Sequence, residues 1–420
     1  MQTVTHEQNW AGNLQYGAES ISRPATIQEA QEVVASASKV RALGSRHSFN
    51  RIADTEHTLL SLENVDPEIT IDEAASTVTV TGGVRYGTLA AELQANGFAL
   101  HNLASLPHIS IAGAVATATH GSGDRNGNLS TAVAGLEILD ATGELRTLTK
   151  GDADFDGAVV SLGALGIVTR LTLEIEPTFE VRQDVYENLS WDAVLADYDA
   201  VSSSAYSVSL FTDWAGESVA QAWLKSRVAD GQRLPASFFG GRPAVEPRHP
   251  LPGVSAVNCT EQLGVPGPWS DRLSHFRMAF MPSNGDELQS EYFVAREHAV
   301  EAIQAMRSLS AHISPLLYVS EIRTIAADNL WLSHNYGYDG VGLHLTWQPR
   351  QAEVEAVLPL IESTLAPFGA RPHWAKLFHA DAEGLRPLYP RFDDFKALAE
   401  AWDPNQKFRN AFLQQKVFGA

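Results

Sequence analysis

Two segments in the first third of the chain carry residue types that can hold a phosphorylated cofactor. The loop Gly44–Asn50 follows a short apolar stretch, Val40–Leu43, and offers backbone N–H groups and serine hydroxyls. The segment Pro107–Gly123 combines hydroxyl side chains and glycines with many alanines. Backbone N–H groups bind phosphate oxygens without a net positive charge, and small residues let a backbone approach a bulky ligand. Taken singly, an ordinary polar turn and a tightly packed small-residue segment are the structural alternatives.

Other cofactor and metal motifs are absent from the sequence. A nicotinamide-binding Rossmann fold needs G-x-G-x-x-G between a strand and a helix, and neither Gly82-Gly83 nor Gly121-Ser122-Gly123 continues with that spacing. No Walker-type Gly-Lys-Ser/Thr occurs, and the histidines show no H-E-x-x-H. The single cysteine, Cys259, excludes an intrachain disulfide and a thiolate metal cluster. We therefore expect no metal site.

A second set of polar residues falls on two predicted strands late in the chain. Glu321 and Arg323 are two residues apart, as are His344 and Thr346, so each pair shares one face of its strand. Lys376 lies in a third segment. A polyol needs hydrogen-bond donors, acceptors and little net charge around it, which this set provides. From the pattern alone, a salt-bridged exposed face for the first pair and a core histidine for His344 are the simpler explanations.

Length, charge and apolar pattern exclude several classes of protein. A chain of 420 residues is longer than one hydrophobic core usually supports, so two domains are expected. The net charge of −20 disfavours nucleic acid and anionic membrane surfaces as partners. The sequence shows no apolar run of the roughly 20 residues that span a bilayer, and its first ten residues lack a secretory signal pattern. We expect a cytoplasmic monomer.

The elements that must position the polar residues change in character along the chain. Up to Pro177, helices are predicted at about 27–38 and 86–97, with a capping box at Thr26 and Glu29, and strands at 77–81, 135–139, 145–148 and 171–175. Beyond it, a long loop is predicted at 230–256, strands at 206–212, 289–294, 319–324 and 341–347, and helices at 296–311 and 351–365. We place boundaries near residues 180 and 370.

The cofactor segments together resemble the FAD-binding elements of the vanillyl-alcohol-oxidase superfamily, and so does Gly163–Thr169. Later segments are similar to its alditol (xylitol) oxidase branch: Asn258–Gln262, Val319–Thr324, Arg371–Lys376 and the closing residues 403–412. The resemblance covers essentially the whole chain. It implies an α+β, two-domain PCMH-type FAD-binding fold, whose substrate domain is a large antiparallel sheet flanked by helices. Residues 1–180 would form the FAD-binding domain, 181–370 the substrate-binding cap, and 371–420 a return to the first domain.

The resemblance implies that FAD is bound covalently, through one bond from His47 to the flavin 8α-methyl carbon. Ala104 matches a small residue beside the flavin that affects oxygen access. Arg46 stands where the family commonly has glycine, and a positive φ would strain it. Cys259 lies outside the flavin motifs, so no second link is expected. The other implied FAD contacts are Ala42, Leu43, Gly44, Ser45, Arg46, Ser48, Ser105, Ser110, Gly113, Thr117, Ala118, Thr119, His120, Val168 and His373.

The resemblance also implies a substrate and a reaction. The alditol, such as xylitol or sorbitol, would be bound by Ser105, Glu321, Arg323, Thr346 and Lys376. Its terminal primary hydroxyl would be oxidised to the aldose by hydride transfer to flavin N5, and O₂ would be reduced to hydrogen peroxide. His344, near Lys376, is the candidate base because histidine titrates near neutrality, while Arg323 and Lys376 would stabilise alkoxide charge. An aldonolactone oxidase on the same scaffold and a non-catalytic sugar-binding protein are the alternatives.

Overall fold

The computed structural model describes residues 7–231, 235–280 and 286–419. Its strands, in chain order, are β1 Ser20–Ser22, β2 Val40–Ala42, β3 Thr58–Leu60, β4 Ile69–Asp72, β5 Thr77–Thr81, β6 Phe98–Ala99, β7 Val133–Leu139, β8 Leu145–Thr149, β9 Ile167–Glu174, β10 Glu176–Pro177, β11 Glu180–Ser190, β12 Ser207–Thr212, β13 Ser218–Arg227, β14 Arg242–Pro243, β15 Gly267–Pro268, β16 Leu288–Ala295, β17 Leu317–Ile325, β18 Gly340–Trp347 and β19 Arg371–Pro372.

The α-helices are α1 Ile27–Ser36, α2 Tyr86–Ala95, α3 Ile111–Ala116, α4 Phe155–Val159, α5 Trp191–Ala196, α6 Tyr198–Ser202, α7 Ala299–Ser308, α8 Ser310–Ile313, α9 Gln351–Leu365, α10 Ala382–Leu385, α11 Phe392–Trp402 and α12 Ala411–Leu413. Among the described residues, no helix has the length and apolar character needed to cross a membrane.

Two small sheets form the part of the chain that carries the glycine-rich segments. One is antiparallel, in the order β4-β5-β9-β7-β8, and the other is parallel, in the order β1-β3-β2. In β5, Val78 and Val80 are fully buried while Thr77 and Thr79 are partly exposed, as the alternating pattern predicts. Helix α1 begins after Thr26, whose hydroxyl accepts from the N–H of Glu29, so the predicted cap is confirmed.

The large sheet has nine strands, paired in the order β14-β11-β13-β12-β17-β18-β16-β19, with β15 beside β11. All of these pairs are antiparallel. In β18, Val341, Leu343, Leu345 and Trp347 point to one side and are completely buried. Helices α5, α6 and α7 contact strands of this sheet. The residues of β18 that alternate with these four apolar residues, including His344 and Thr346, point to the opposite side of the sheet, which carries polar groups.

The last part of the chain returns to the first. After β19, the carbonyl of Ala375 accepts from the N–H of Phe49 at 2.8 Å, and the amide of Asn50 donates to Trp374 O and Lys376 O. Further on, the carbonyl of Lys407 accepts from the N–H of Val40. These contacts bring Lys376 next to the loop that contains His47. The domain boundaries at residues 180 and 370 stay a prediction.

Candidate active site

A cavity of about 360 Å³ lies between the glycine-rich segments and the polar side of the large sheet. Its walls include the loop 41–49, much of the segment 104–120, and side chains of β16, β17 and β18. Predicted cofactor residues that line it are Ala42, Leu43, Gly44, Ser45, Arg46, His47, Ser48, Ser105, Ser110, Gly113, Thr117, Thr119, His120, Val168 and His373. Ala118 is an exception, because its methyl group is packed in the hydrophobic core. The FAD contact expected for Ala118 stays a prediction.

The walls fit a large phosphorylated cofactor because several polar groups lack a protein partner. Nδ1 of His47 is buried without a hydrogen bond to any described residue. The backbone N–H groups of Gly44, Arg46 and Ser48 likewise have none within the described ranges. Gly44 is exposed and Arg46 and Ser48 are partly exposed, so this loop offers free N–H donors at the cavity that can bind a pyrophosphate. A Cβ on Gly44 would lie 2.7 Å from Ser110 Oγ, so a larger residue here would displace that hydroxyl.

The histidine of this loop is held as a neutral ring. His47 stacks on Trp10, with ring centroids 5.4 Å apart and planes 21° apart. Burial lowers the pKa of His47 to about 4. The ring is therefore uncharged at neutral pH. A neutral imidazole has a lone pair that can bond to an electrophilic carbon.

Arg46 adopts the positive φ that makes this position costly for any residue except glycine. Its φ is 64°, so the strain foreseen for a non-glycine residue is present. The carbonyl of Arg46 accepts from the N–H of Trp10 at 2.8 Å, and its guanidinium pairs with Glu7 at 2.6 Å and Glu63 at 3.6 Å. These contacts with the N-terminal segment offset the strain and fix the loop.

Three ionisable residues stand in one row across the large sheet. Glu321 on β17 lies directly opposite His344 on β18, and His344 lies opposite Glu291 on β16. Residues paired in this way project to the same side of a sheet. Glu321, Arg323, His344, Thr346 and Lys376 all line the cavity. Glu321 and Arg323 are 4% and 5% exposed, so the alternative of an exposed salt-bridged face is wrong.

Glu291 was not foreseen from the sequence, and it connects the cations of the site. Its Oε2 contacts Lys376 Nζ at 2.6 Å, and its Oε1 contacts Arg323 Nη2 at 2.7 Å and His120 Nε2 at 3.2 Å. Burial alone would raise the pKa of Glu291, but Lys376 and Arg323 hold that pKa well below its usual range. The carboxylates Glu291 and Glu321 balance Arg323 and Lys376, which leaves little net charge beside the cavity.

His120, Glu291 and His373 also have the spacing of metal ligands, with candidate ligand atoms within 4.8 Å of one another. The arrangement does not suit a divalent cation, because both oxygens of Glu291 already contact a cationic side chain. A metal ion here would be repelled by Lys376 and Arg323 at short range.

The orientation of His344 follows from its neighbour on β16. The amide nitrogen of Gln289 donates to Glu287 Oε1 at 2.7 Å, so the amide oxygen faces the imidazole. His344 Nε2 lies 3.1 Å from that oxygen and must carry the hydrogen. Nδ1 is then an acceptor, and it is buried without a partner among the described residues. Burial and Lys376 lower the pKa of His344 well below its usual range, so the ring is neutral.

The segment around residue 275 joins the two walls of the cavity. The carbonyl of Ser105 accepts from the N–H groups of both His275 and Phe276, each at 3.2 Å. His275 Nε2 lies 2.8 Å from Glu321 Oε1. Burial alone would raise the pKa of Glu321, but Arg323 and His275 hold it well below its usual range. No pattern in the sequence marks His275 as a site residue.

The fold and the cavity define an FAD-dependent oxidoreductase. Residues 18–149 match the FAD binding domain family, and residues 278–416 match the D-arabinono-1,4-lactone oxidase family. The solved structure of cholesterol oxidase from Brevibacterium sterolicum superposes with a TM-score of 0.79, over 97% of this chain and 96% of that one, at 16% identity. The predicted two-domain α+β FAD-binding fold with its large antiparallel sheet is confirmed.

Two curated relatives narrow the assignment. An alditol oxidase of Streptomyces sp. is 48% identical over 417 residues, which cover 98% of this chain and 99% of the relative. An L-gulono-1,4-lactone dehydrogenase of Mycobacterium tuberculosis is 30% identical over 97% of this chain and 98% of its own length. The chain therefore belongs to the alditol oxidase family, and the lactone enzyme is a more distant relative.

Proposed function

We propose that the protein oxidises the terminal primary hydroxyl of an alditol, such as xylitol or sorbitol, to the aldose. The observation that carries this proposal is the buried, charge-balanced set of Glu321, Arg323, His344 and Lys376 on the cavity that His47 also lines. When bound, FAD supplies the redox chemistry by accepting hydride at N5 and passing both electrons to O₂, which yields hydrogen peroxide.

Substrate hydroxyls are bound by groups of both hydrogen-bonding types. Glu321 accepts, Arg323 and Lys376 donate, and the hydroxyls of Ser105 and Thr346 do either. Glu291 fixes both cations, because each contacts a different oxygen of this one carboxylate. A site of this kind is preorganised, so little reorganisation accompanies charge development during the reaction.

The proton of the reacting hydroxyl goes to Nδ1 of His344. This nitrogen has the free lone pair because Gln289 holds the hydrogen on Nε2. Burial makes the imidazole a weak base, so Arg323 and Lys376 must stabilise the alkoxide as the proton leaves. His344 and the two cations therefore act together, with His344 as acceptor and the cations as electrostatic partners.

We further propose that FAD is attached covalently through His47 alone. The neutral ring and its unpaired Nδ1 support this, and so does the single cysteine, because Cys259 is buried in a separate cluster with Trp223 and Phe211. Acid precipitation tests the bond: yellow colour should stay in the pellet, and a peptide containing His47 should carry the mass of FAD. His47→Ala should release any bound flavin, whereas His57→Ala, outside the cavity, should not.

A substrate panel with peroxide detection tests the reaction itself. We expect turnover of xylitol and sorbitol, and little turnover of L-gulono-1,4-lactone or D-arabinono-1,4-lactone. Preference for a lactone would move the assignment to the more distant relatives. A colourless protein that binds polyols without producing peroxide would favour the non-catalytic alternative. We also propose a monomer, for which light scattering should give the chain mass of 45.5 kDa.

A further inference from the structure

A buried ammonium group lies behind Glu321, the carboxylate that is proposed to bind the substrate, and it has no part in the reaction described so far. Lys225 on β13 is 1% exposed. Its Nζ donates to the carbonyl oxygens of Leu273 and Ser274, and it lies 3.1 Å from Nδ1 of His275. An ammonium has three hydrogens and no acceptor, so these contacts use all of them. Burying a lysine is costly, and these three contacts offset that cost.

The contact with Lys225 decides which nitrogen of His275 carries the hydrogen. Because the ammonium donates, Nδ1 of His275 must accept, and the hydrogen of the neutral ring lies on Nε2. Nε2–H then donates to Glu321 Oε1 at 2.8 Å. Burial, followed by the charge of Lys225, lowers the pKa of His275 to about 4, so the ring stays neutral. The opposite tautomer would turn a lone pair toward the carboxylate.

We propose that Lys225 is a positioning residue for substrate recognition. By fixing the tautomer of His275, it holds Oε1 of Glu321 in a hydrogen bond and leaves Oε2 to accept from a substrate hydroxyl. Oε2 makes no hydrogen bond to a described residue, and its nearest cation is Arg323 Nε at 3.7 Å. This inference rests on the proposed polyol site and adds a residue that does not touch the substrate.

Contacts other than those of Lys225 also hold His275 in place. The N–H groups of His275 and Phe276 donate to Ser105 O, and the His275 ring packs edge-on against Trp223 and Phe211, at centroid distances of 5.2 and 5.7 Å. Removing the ammonium should therefore change the tautomer of the ring more than its place. Because the ring keeps its place, a change in substrate affinity after removal of the ammonium reports the change of tautomer.

The test compares Lys225→Met, His275→Phe and the double variant. The rate of flavin reduction is measured without oxygen at a series of xylitol concentrations, which gives both the Kd for xylitol and the reduction rate at saturation. Each single variant should raise Kd about tenfold, the loss expected for one hydrogen bond to a charged group. The reduction rate should change less than Kd. The double variant should bind no worse than His275→Phe, because Lys225 acts through that ring.

Lys416→Met is the matched control, since Lys416 is also buried and donates to two carbonyl oxygens, His379 O and Ala380 O, away from the cavity. It should leave Kd unchanged. His275→Gln, which keeps an N–H donor for Glu321, should recover much of the affinity lost in His275→Phe. Additive losses in the double variant, an unchanged Kd in Lys225→Met or an equal loss in Lys416→Met would each overturn the proposal.

A measurement on the unaltered protein covers the case in which Lys225→Met does not fold. At a pH below the Lys225 pKa of about 7, the difference between the ¹⁵N-histidine spectra of wild type and His275→Phe identifies the ring of His275, whose nitrogen shifts should report the Nε2–H tautomer. The Nδ1–H tautomer would refute the inference. Failure of the polyol assignment would be seen in a separate measurement. In that case a lactone, and not xylitol, would reduce the flavin of the wild-type protein, and the tautomer of His275 would be unaffected.

Discussion

Glu291→Gln tests whether one buried carboxylate holds the cations of the site. The change keeps the shape of the side chain but removes the charge that Lys376 Nζ contacts at 2.6 Å and Arg323 Nη2 at 2.7 Å. Breaking a buried ion pair on one side costs about 3–5 kcal/mol, because the remaining charge stays buried without compensation. Two cations are affected here, so we expect the free energy of unfolding to fall by at least about 3 kcal/mol at pH 7.

Urea unfolding followed by tryptophan fluorescence measures this loss. Glu353→Gln is the control, because Glu353 pairs with Arg350 on the surface, where both side chains are about half exposed, at 55% and 41%. That variant should leave the unfolding midpoint nearly unchanged. A loss of less than about 1 kcal/mol in Glu291→Gln would show that the carboxylate does not hold these cations.

The pH dependence gives a second check on the same variant. The pKa of Glu291 lies well below 4.5 in the folded chain. A carboxyl group with a depressed folded pKa stabilises the protein above its unfolded pKa, and this contribution is lost as the pH falls through the folded value. The difference between wild type and variant should therefore be constant from about pH 6 to 8 and shrink in acid. A difference that grows as the pH falls contradicts the sign of the argument.

The other predictions concern turnover and affinity. Lys376→Ala should reduce polyol turnover at least about 100-fold while keeping the flavin spectrum, and near-normal peroxide production would refute the role of Lys376. Gln289→Leu should lower the rate of flavin reduction about tenfold without changing the xylitol Kd, since it frees the tautomer of His344. Burial lowers the pKa of Lys225 to about 7, and Glu321 and Cys259 offset only part of this. The xylitol Kd of wild type should thus rise above pH 7, whereas that of Lys225→Met should stay flat.

Much of the fold was predictable because local patterns and packing agree. The capping box at Thr26 and the apolar spacing of 351–365 gave α1 and α9 to within about two residues. The predicted helix at 296–311 was less accurate, since α7 begins at Ala299 and α8 follows as a separate turn. Strand β11 is only weakly marked by apolar alternation in the sequence, because a polar residue, Gln183, occupies one of its buried positions.

The parts of the site that sequence reasoning missed are those made by distant contacts. Glu291 meets Arg323 and Lys376 from 32 and 85 residues away, so no spacing along the chain marks it. Lys225 is a residue type normally found at the surface, and it is buried only because the carbonyl oxygens at 273 and 274 lie against it. Glu321 and Arg323 were found because alternation on a strand is a local property, and the family resemblance marked their positions.

The oxygen of Ser105 that accepts from both His275 and Phe276 has a consequence for the evolution of substrate range. This atom, on the cofactor side, is one of those that set where the segment behind Glu321 lies. Substitutions beside Ser105, at Ala104 or Leu106, which also line the cavity, would therefore shift the carboxylate of Glu321 through the backbone. A selection for activity on shorter or longer polyols should recover changes at these two positions as well as among the residues that are proposed to bind the substrate.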